Sequence, residues 1–154
     1  MFRNLLIMLF YTTLLGCSNN NDQLNANKQE QIKTPEEIYI VAKQFFESEN
    51  YELSHEEFLE LKKLYPLSNE AIQAEIMIGF ISYLKMDYET SILQFEKIKN
   101  KYPSHKNLDY IYYMIAVCNY EQITHHGLDG KFNELALYNF KQVVNRFPNS
   151  DYAK

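Results

Sequence analysis

An aromatic residue followed by proline occurs three times in this chain, as Tyr65-Pro66, Tyr102-Pro103 and Phe147-Pro148, each closing a stretch of helical periodicity. Proline removes a helical hydrogen bond and disfavours helical backbone in the residue before it, so these pairs act as regular helix stops. The spacings between Pro66, Pro103 and Pro148 are 37 and 45 residues, the second longer by eight. Each proline takes position 32 of a 34-residue unit once eight residues around His125 to Gly130 of the third are set aside as an insert. Equivalent residue types then fall in register. Position 8 holds Ala42, Gly79 and Ala116, and position 20 holds Ser54, Ser91 and Ala136. Phe58, Phe95 and Phe140 share position 24, and Leu61, Ile98 and Val143 share position 27.

Small at 8 and 20, aromatic at 24 and proline at 32 is the pattern of tetratricopeptide repeats. Positions 8 and 20 lie where the two helices of a unit approach closely, and position 24 fills the space between units. The expected fold is all-α: a tetratricopeptide-repeat solenoid of helical hairpins, with three repeats (34–66, 69–103 and 106–148) and the start of a fourth (149–154). Helices are expected at 35–49, 51–65, 69–86, 88–102, 106–123 and 132–147, with an elongated connection from Thr124 to Gly130. Thr34-Pro35-Glu36-Glu37 carries the signals of a capping box with proline at the first helical position. Asn149 to Lys154 resembles Ser68-Asn69-Glu70-Ala71, which opens the second unit. A solenoid without a terminal capping element leaves an apolar face bare, so a partial sequence is expected.

Residues 1–16 read as an export signal: Arg3, an apolar run too short to span a bilayer, then Leu14-Leu15-Gly16-Cys17. That order resembles the lipobox of bacterial lipoproteins, which implies acylation at Cys17 and removal of the peptide before it. The competing reading is a secretory signal with a chance cysteine. Two or more acyl chains anchor stably, at about 0.8 kcal/mol per buried methylene. Residues 17–33 are rich in Asn, Gln, Asp and Lys and are expected to form a flexible tether. Ser18 replaces the Asp that resembles an inner-membrane retention signal, which favours the outer membrane. Cys118, the other cysteine, sits in an apolar helical stretch and reads as a small buried thiol.

Thr34-Pro35-Glu36-Glu37-Ile38-Tyr39, Tyr65-Pro66 and Ile81-Ser82-Tyr83-Leu84-Lys85 together resemble the BamD family, lipoproteins of the outer-membrane β-barrel assembly machinery. The most specific part runs from His105-Lys106-Asn107-Leu108-Asp109-Tyr110 to Tyr113-Met114, similar to that family's third-repeat opening. Arg146-Phe147-Pro148-Asn149-Ser150 also fits. Lys106 stands where the family often has proline, the insert after Ile123 is shorter than in many relatives, and three repeats stand here against the family's five. The resemblance implies an outer-membrane lipoprotein scaffold on the periplasmic face. Its implied partners are a barrel-forming assembly protein with polypeptide-transport-associated domains, accessory lipoproteins and unfolded outer-membrane proteins. A different periplasmic tetratricopeptide lipoprotein, such as a cell-envelope or cell-division coordinator, is the alternative. An enzyme subunit that uses the solenoid as a docking module is a third.

Such solenoids bind through first-helix positions 2, 5, 9 and 12. Seven of these twelve positions are aromatic: Tyr39, Phe46, Phe80, Tyr83, Tyr110, Tyr113 and Tyr120. Rigid rings give large contact area for few frozen torsions and suit an alternating apolar–polar peptide, the pattern of an outer-membrane strand. The opposing reading packs several of these rings between helices. His125-His126 with Asp129 lacks metal-ligand spacing and reads as a solvated loop. His105 is expected to fix the turn into the third unit. The acidic run Glu47, Glu49, Glu52, Glu56, Glu57 and Glu60 reads as a solvated face. With a net charge of −5 and no basic stripe, no nucleic-acid partner is expected. The sequence shows no nucleophile–base pair, phosphate loop or cysteine cluster. No enzyme, no metal and no cofactor beyond a covalent lipid is therefore expected.

Overall fold

Helix and turn account for the regular structure in a computed structural model that describes residues 33–125 and 130–154. The export signal, Cys17, most of the tether and residues 126–129 lie outside the described residues. Among the described residues six α-helices follow one another: α1 (Pro35–Glu47), α2 (Tyr51–Leu64), α3 (Asn69–Leu84), α4 (Tyr88–Lys101), α5 (Leu108–His125) and α6 (Gly130–Arg146). A single 3-10 turn, Asp151–Ala153, comes after them, and no strand occurs among the described residues. Each helix packs on the next, and α1 also touches α3. This is an all-α array of stacked hairpins.

The starts and stops repeat with the sequence register. Thr34 accepts from Glu37 N–H at 3.2 Å, while Glu37 Oε2 accepts from Thr34 N–H at 2.8 Å, completing the capping box. The carbonyls of Tyr65, Tyr102 and Phe147 accept from the N–H groups of Ser68, His105 and Ser150 at 2.9–3.1 Å. All three Pro-containing turns therefore close the same way. The turns inside the first two hairpins also match. Glu49 and Met86, both at repeat position 15, adopt φ of 60°, and Asn50 and Asp87 then cap α2 and α4. The N–H groups of Asn50 and Asp87 return to Phe45 and Ser82 carbonyls at 2.9 and 3.0 Å, the bonding of a Schellman motif.

Two core clusters interlock through α3. One joins Ile38, Ala42, Phe58 and Leu61 to Ala74, Ile78 and Ile81. The other joins Ile76 to Phe95, Ile98, Ile111, Met114 and Ile115. α3 contributes to both because it is apolar around most of its circumference, as a helix buried between neighbours must be. Phe58 and Phe95 are fully buried. Phe140, at the same repeat position, is only half-buried and meets Tyr113 edge-on at 6.4 Å. In the first two units the next first helix covers this position, whereas only the 3-10 turn follows α6 here.

The third hairpin differs from the sequence expectation. α5 runs to His125 and α6 begins at Gly130, each two residues beyond the expected helix bounds, and residues 126–129 of the expected connection from Thr124 to Gly130 lie outside the described residues. These helices have 18 and 17 residues, against 13 to 16 in the first two hairpins.

Candidate functional site

The predicted groove rings fall into two groups and two single positions. Phe46 and Phe80, on first helices α1 and α3, lie 6.0 Å apart, and Phe80 stacks on Tyr83 at 5.9 Å. Tyr51 extends this row at one end, 5.5 Å from Phe46, and Tyr88 at the other, 5.8 Å from Tyr83. The result is a continuous strip of five half-buried rings across the first two hairpins. Sequence reasoning missed Tyr51 and Tyr88. Both stand at repeat position 17, directly after the capping Asn50 and Asp87, and that shared position was the available signal.

The second group is Tyr110 and Tyr113 on α5. Tyr152, from the 3-10 turn, lies 5.5 Å from Tyr110 and 5.0 Å from Tyr113. Ser150 Oγ donates to Asp109 Oδ2 at 2.6 Å and holds the turn in place. Tyr110 also meets Phe95 edge-on at 6.2 Å, and burial pushes its phenol well above the usual range. These rings are packed by their own chain. Tyr39 likewise turns toward the core, 5.6 Å from Phe58, with its pKa raised by burial. Tyr120, far along α5, is 55% exposed.

A cleft of about 650 Å³ opens at the N-terminal ends of the first helices. Glu36, Tyr39 and Ile40 from α1, Glu70, Ile72 and Gln73 from α3, and His105 with Lys106 from the next turn line it. His105 Nδ1 accepts from Asn107 N–H at 3.2 Å, and Nε2 lies 3.5 Å from the Gln73 amide. Accepting at Nδ1 requires a neutral ring with its proton on Nε2, where it can donate to Gln73 once that amide presents its oxygen. Burial, with Lys106 adding to it, holds the His105 pKa below its usual 6.5. Burial also raises the pKa of Tyr83, with the Glu121 charge reinforcing it, so the phenol stays neutral and able to donate.

The acidic run is solvated as expected for most of its length, with Glu52 bridging to Lys85 at 2.7 Å and Glu47 to Lys43 at 3.4 Å. Cys118 is buried; its thiol donates to Ser91 Oγ at 3.3 Å, and burial pushes its pKa to about 11. No group of three or more potential metal ligands occurs among the described residues. His126 and Asp129 lie outside them.

Residues 31–154 match the profile of the YfiO family, described as outer membrane lipoprotein. The chain belongs to the BamD (YfiO) family. It is 30% identical to the outer membrane protein assembly factor BamD of Caulobacter vibrioides over 62% of this chain and 32% of the relative. Against BamD of Neisseria gonorrhoeae the identity is 28%, over 96% of this chain and 60% of the relative. BamD of Xylella fastidiosa is 27% identical over 97% of this chain and 54% of its own length. The chain thus spans from about a third to three-fifths of these BamD relatives. No helix among the described residues is long and apolar enough to cross a membrane.

Proposed function

We propose that this BamD-family chain is a lipid-anchored scaffold that assembles outer-membrane β-barrel proteins. The relatives it matches are named as outer membrane protein assembly factors, which supports the assembly role. In this reading Cys17 carries the lipid, residues 18–33 hold the solenoid off the outer membrane, and the solenoid faces the periplasm. Its surfaces receive a barrel-forming partner with polypeptide-transport-associated domains, accessory lipoproteins and unfolded barrel segments. No chemistry is required of the chain itself.

The observation that carries the substrate-binding reading is the ring row Tyr51–Phe46–Phe80–Tyr83–Tyr88. An extended barrel strand presents apolar side chains on one face every second residue, about 6.6 Å apart. The ring spacing of 5.5–6.0 Å along the strip is close to that repeat. Exposed backbone of the strand can meanwhile bond to water or to polar groups at the cleft. Tyr110 and Tyr113 belong to the groove only where Tyr152 moves aside.

Depleting the protein in its own bacterium tests this role. Outer-membrane barrel proteins should fall several-fold while other outer-membrane lipoproteins persist. Unchanged barrel levels with a division or envelope-shape defect would favour a cell-envelope coordinator instead.

A further inference from the structure

The repeat register exposes a second recurrent arrangement, independent of the aromatic groove. Position 4 holds Glu75 on α3 and Tyr112 on α5. Position 28 of the preceding second helix supplies Lys62 and Lys99, and position 30 of the unit's own second helix supplies Lys101 and Arg146. Glu75 Oε1 lies 3.1 Å from Lys101 Nζ and 3.9 Å from Lys62 Nζ. The Tyr112 ring centroid lies 5.2 Å from Lys99 Nζ and 5.3 Å from Arg146 Cζ. Each seam between consecutive second helices therefore sets two cations around one residue of the first helix. A carboxylate fills the first seam, and a ring with its negative face fills the second.

The first seam is open. It forms a cleft of about 690 Å³ lined by Lys62, Glu75, Gln94, Lys97, Asn100 and Lys101. Three ammonium groups face one carboxylate there, in a chain whose net charge is −5. The Glu75 side chain is 15% exposed, so the compensating charge sits in the wall, while Lys101 is 55% exposed. Lys97 is exposed and makes no ion pair among the described residues. Gln94, Lys97 and Lys101 follow one face of α4 at i, i+3 and i+7, a donor row about 10 Å long.

We propose that this seam docks an extended Glu- or Asp-rich segment of a protein partner. Glu75 shows that a carboxylate fits between the cations of positions 28 and 30. Along an extended chain, carboxylates two residues apart are about 6.6 Å from each other, so two of them fit the donor row on α4. The donors are single ammonium and amide groups spread along a cleft. A phosphate would instead favour a convergent fork, and a lipid surface a flat patch.

The test is fluorescence anisotropy with the full chain and a labelled ten-residue peptide of alternating Glu and Ser, at low salt. Lys97→Glu should weaken binding at least tenfold. Glu75→Gln removes the competing carboxylate and should tighten it at least threefold, a direction that a purely structural role does not produce. Circular dichroism checks that both variants remain folded. Equal peptide affinity in wild type and both variants would overturn the proposal. So would the absence of peptide binding alongside Lys97-dependent binding to phosphatidylglycerol vesicles, which would mark a lipid contact.

Discussion

Ser91 Oγ donates to the Gly79 carbonyl at 2.8 Å, tying α4 to α3 across the tight crossing of the second hairpin. Ser54 stands at the equivalent position of the first hairpin, and its hydroxyl has no hydrogen-bond partner. Ala42 stands there where the second hairpin has Gly79. A methyl on Gly79 would come within 3.0 Å of Phe95 Cζ and 3.2 Å of its Cε1 and Cε2, and Phe95 is fully buried. The missing side chain thus lets the ring and the backbone bond coexist.

Gly79→Ala should destabilise the chain by about 1–2 kcal/mol, because overpacking against Phe95 exceeds the helix-propensity gain of alanine. Ser91→Ala should cost about 1 kcal/mol through the lost hydrogen bond. Ser54→Ala should be neutral or stabilising, since its hydroxyl is buried without a partner. Denaturant unfolding of the three variants checks the order. Equal losses at Ser54 and Ser91 would contradict it.

The left-handed residues at the hairpin turns make a second prediction. Glu49 and Met86 hold φ of 60° without being glycine. Replacing either by glycine should stabilise the fold by about 0.5–1 kcal/mol, since the Cβ clash of the left-handed region disappears. Thermal unfolding reads the gain. A loss at both sites would show that the turns are not strained.

These features show what was legible in the sequence. The prolines, the small residues at 8 and 20 and the buried Phe58 and Phe95 were visible because each is a steric requirement repeated at a fixed interval. The left-handed turns were not, because Glu49 and Met86 share no chemistry; only the Asn50 and Asp87 caps that follow them do. The groove positions were legible as aromatic residues, but their neighbours were not. Tyr39 turns toward Phe58, and Tyr152 covers Tyr110 and Tyr113, through tertiary contacts that periodicity does not encode. In the third unit the helix ends lie two residues beyond the expected bounds, at His125 and Gly130, because histidine and glycine at a helix terminus give no fixed stop.

His105 gives the fold a pH dependence. Its neutral ring accepts from Asn107 N–H, and its pKa lies below 6.5 in the folded chain. The unfolded chain therefore takes up this proton first as pH falls, and stability from His105 is present above pH 6.5 and lost progressively below it. His55, also lowered by burial and then by Lys85, acts in the same direction. Stability measured from about pH 7.5 to 5 should fall, and His105→Gln should flatten the slope. An unchanged slope in that variant would contradict the assignment.

Cys118 should resist alkylation in the native state. Burial keeps it protonated, with a pKa of about 11, and its thiol is directed to Ser91. Labelling by iodoacetamide at pH 8 should proceed at least a hundredfold faster in denaturant than in buffer, as mass spectrometry reads. Comparable rates would show that the α4–α5 contact is open.

The aromatic strip is the proposed receptor for unfolded barrel strands. The most direct measurement is the affinity of the full chain for a ten-residue peptide that alternates apolar and polar residues, read by fluorescence anisotropy. Phe80→Ala with Tyr83→Ala should weaken binding at least tenfold, while Leu59→Ala on the exposed side of α2 leaves it unchanged. Equal affinity in all three proteins, each folded by circular dichroism, would contradict the groove.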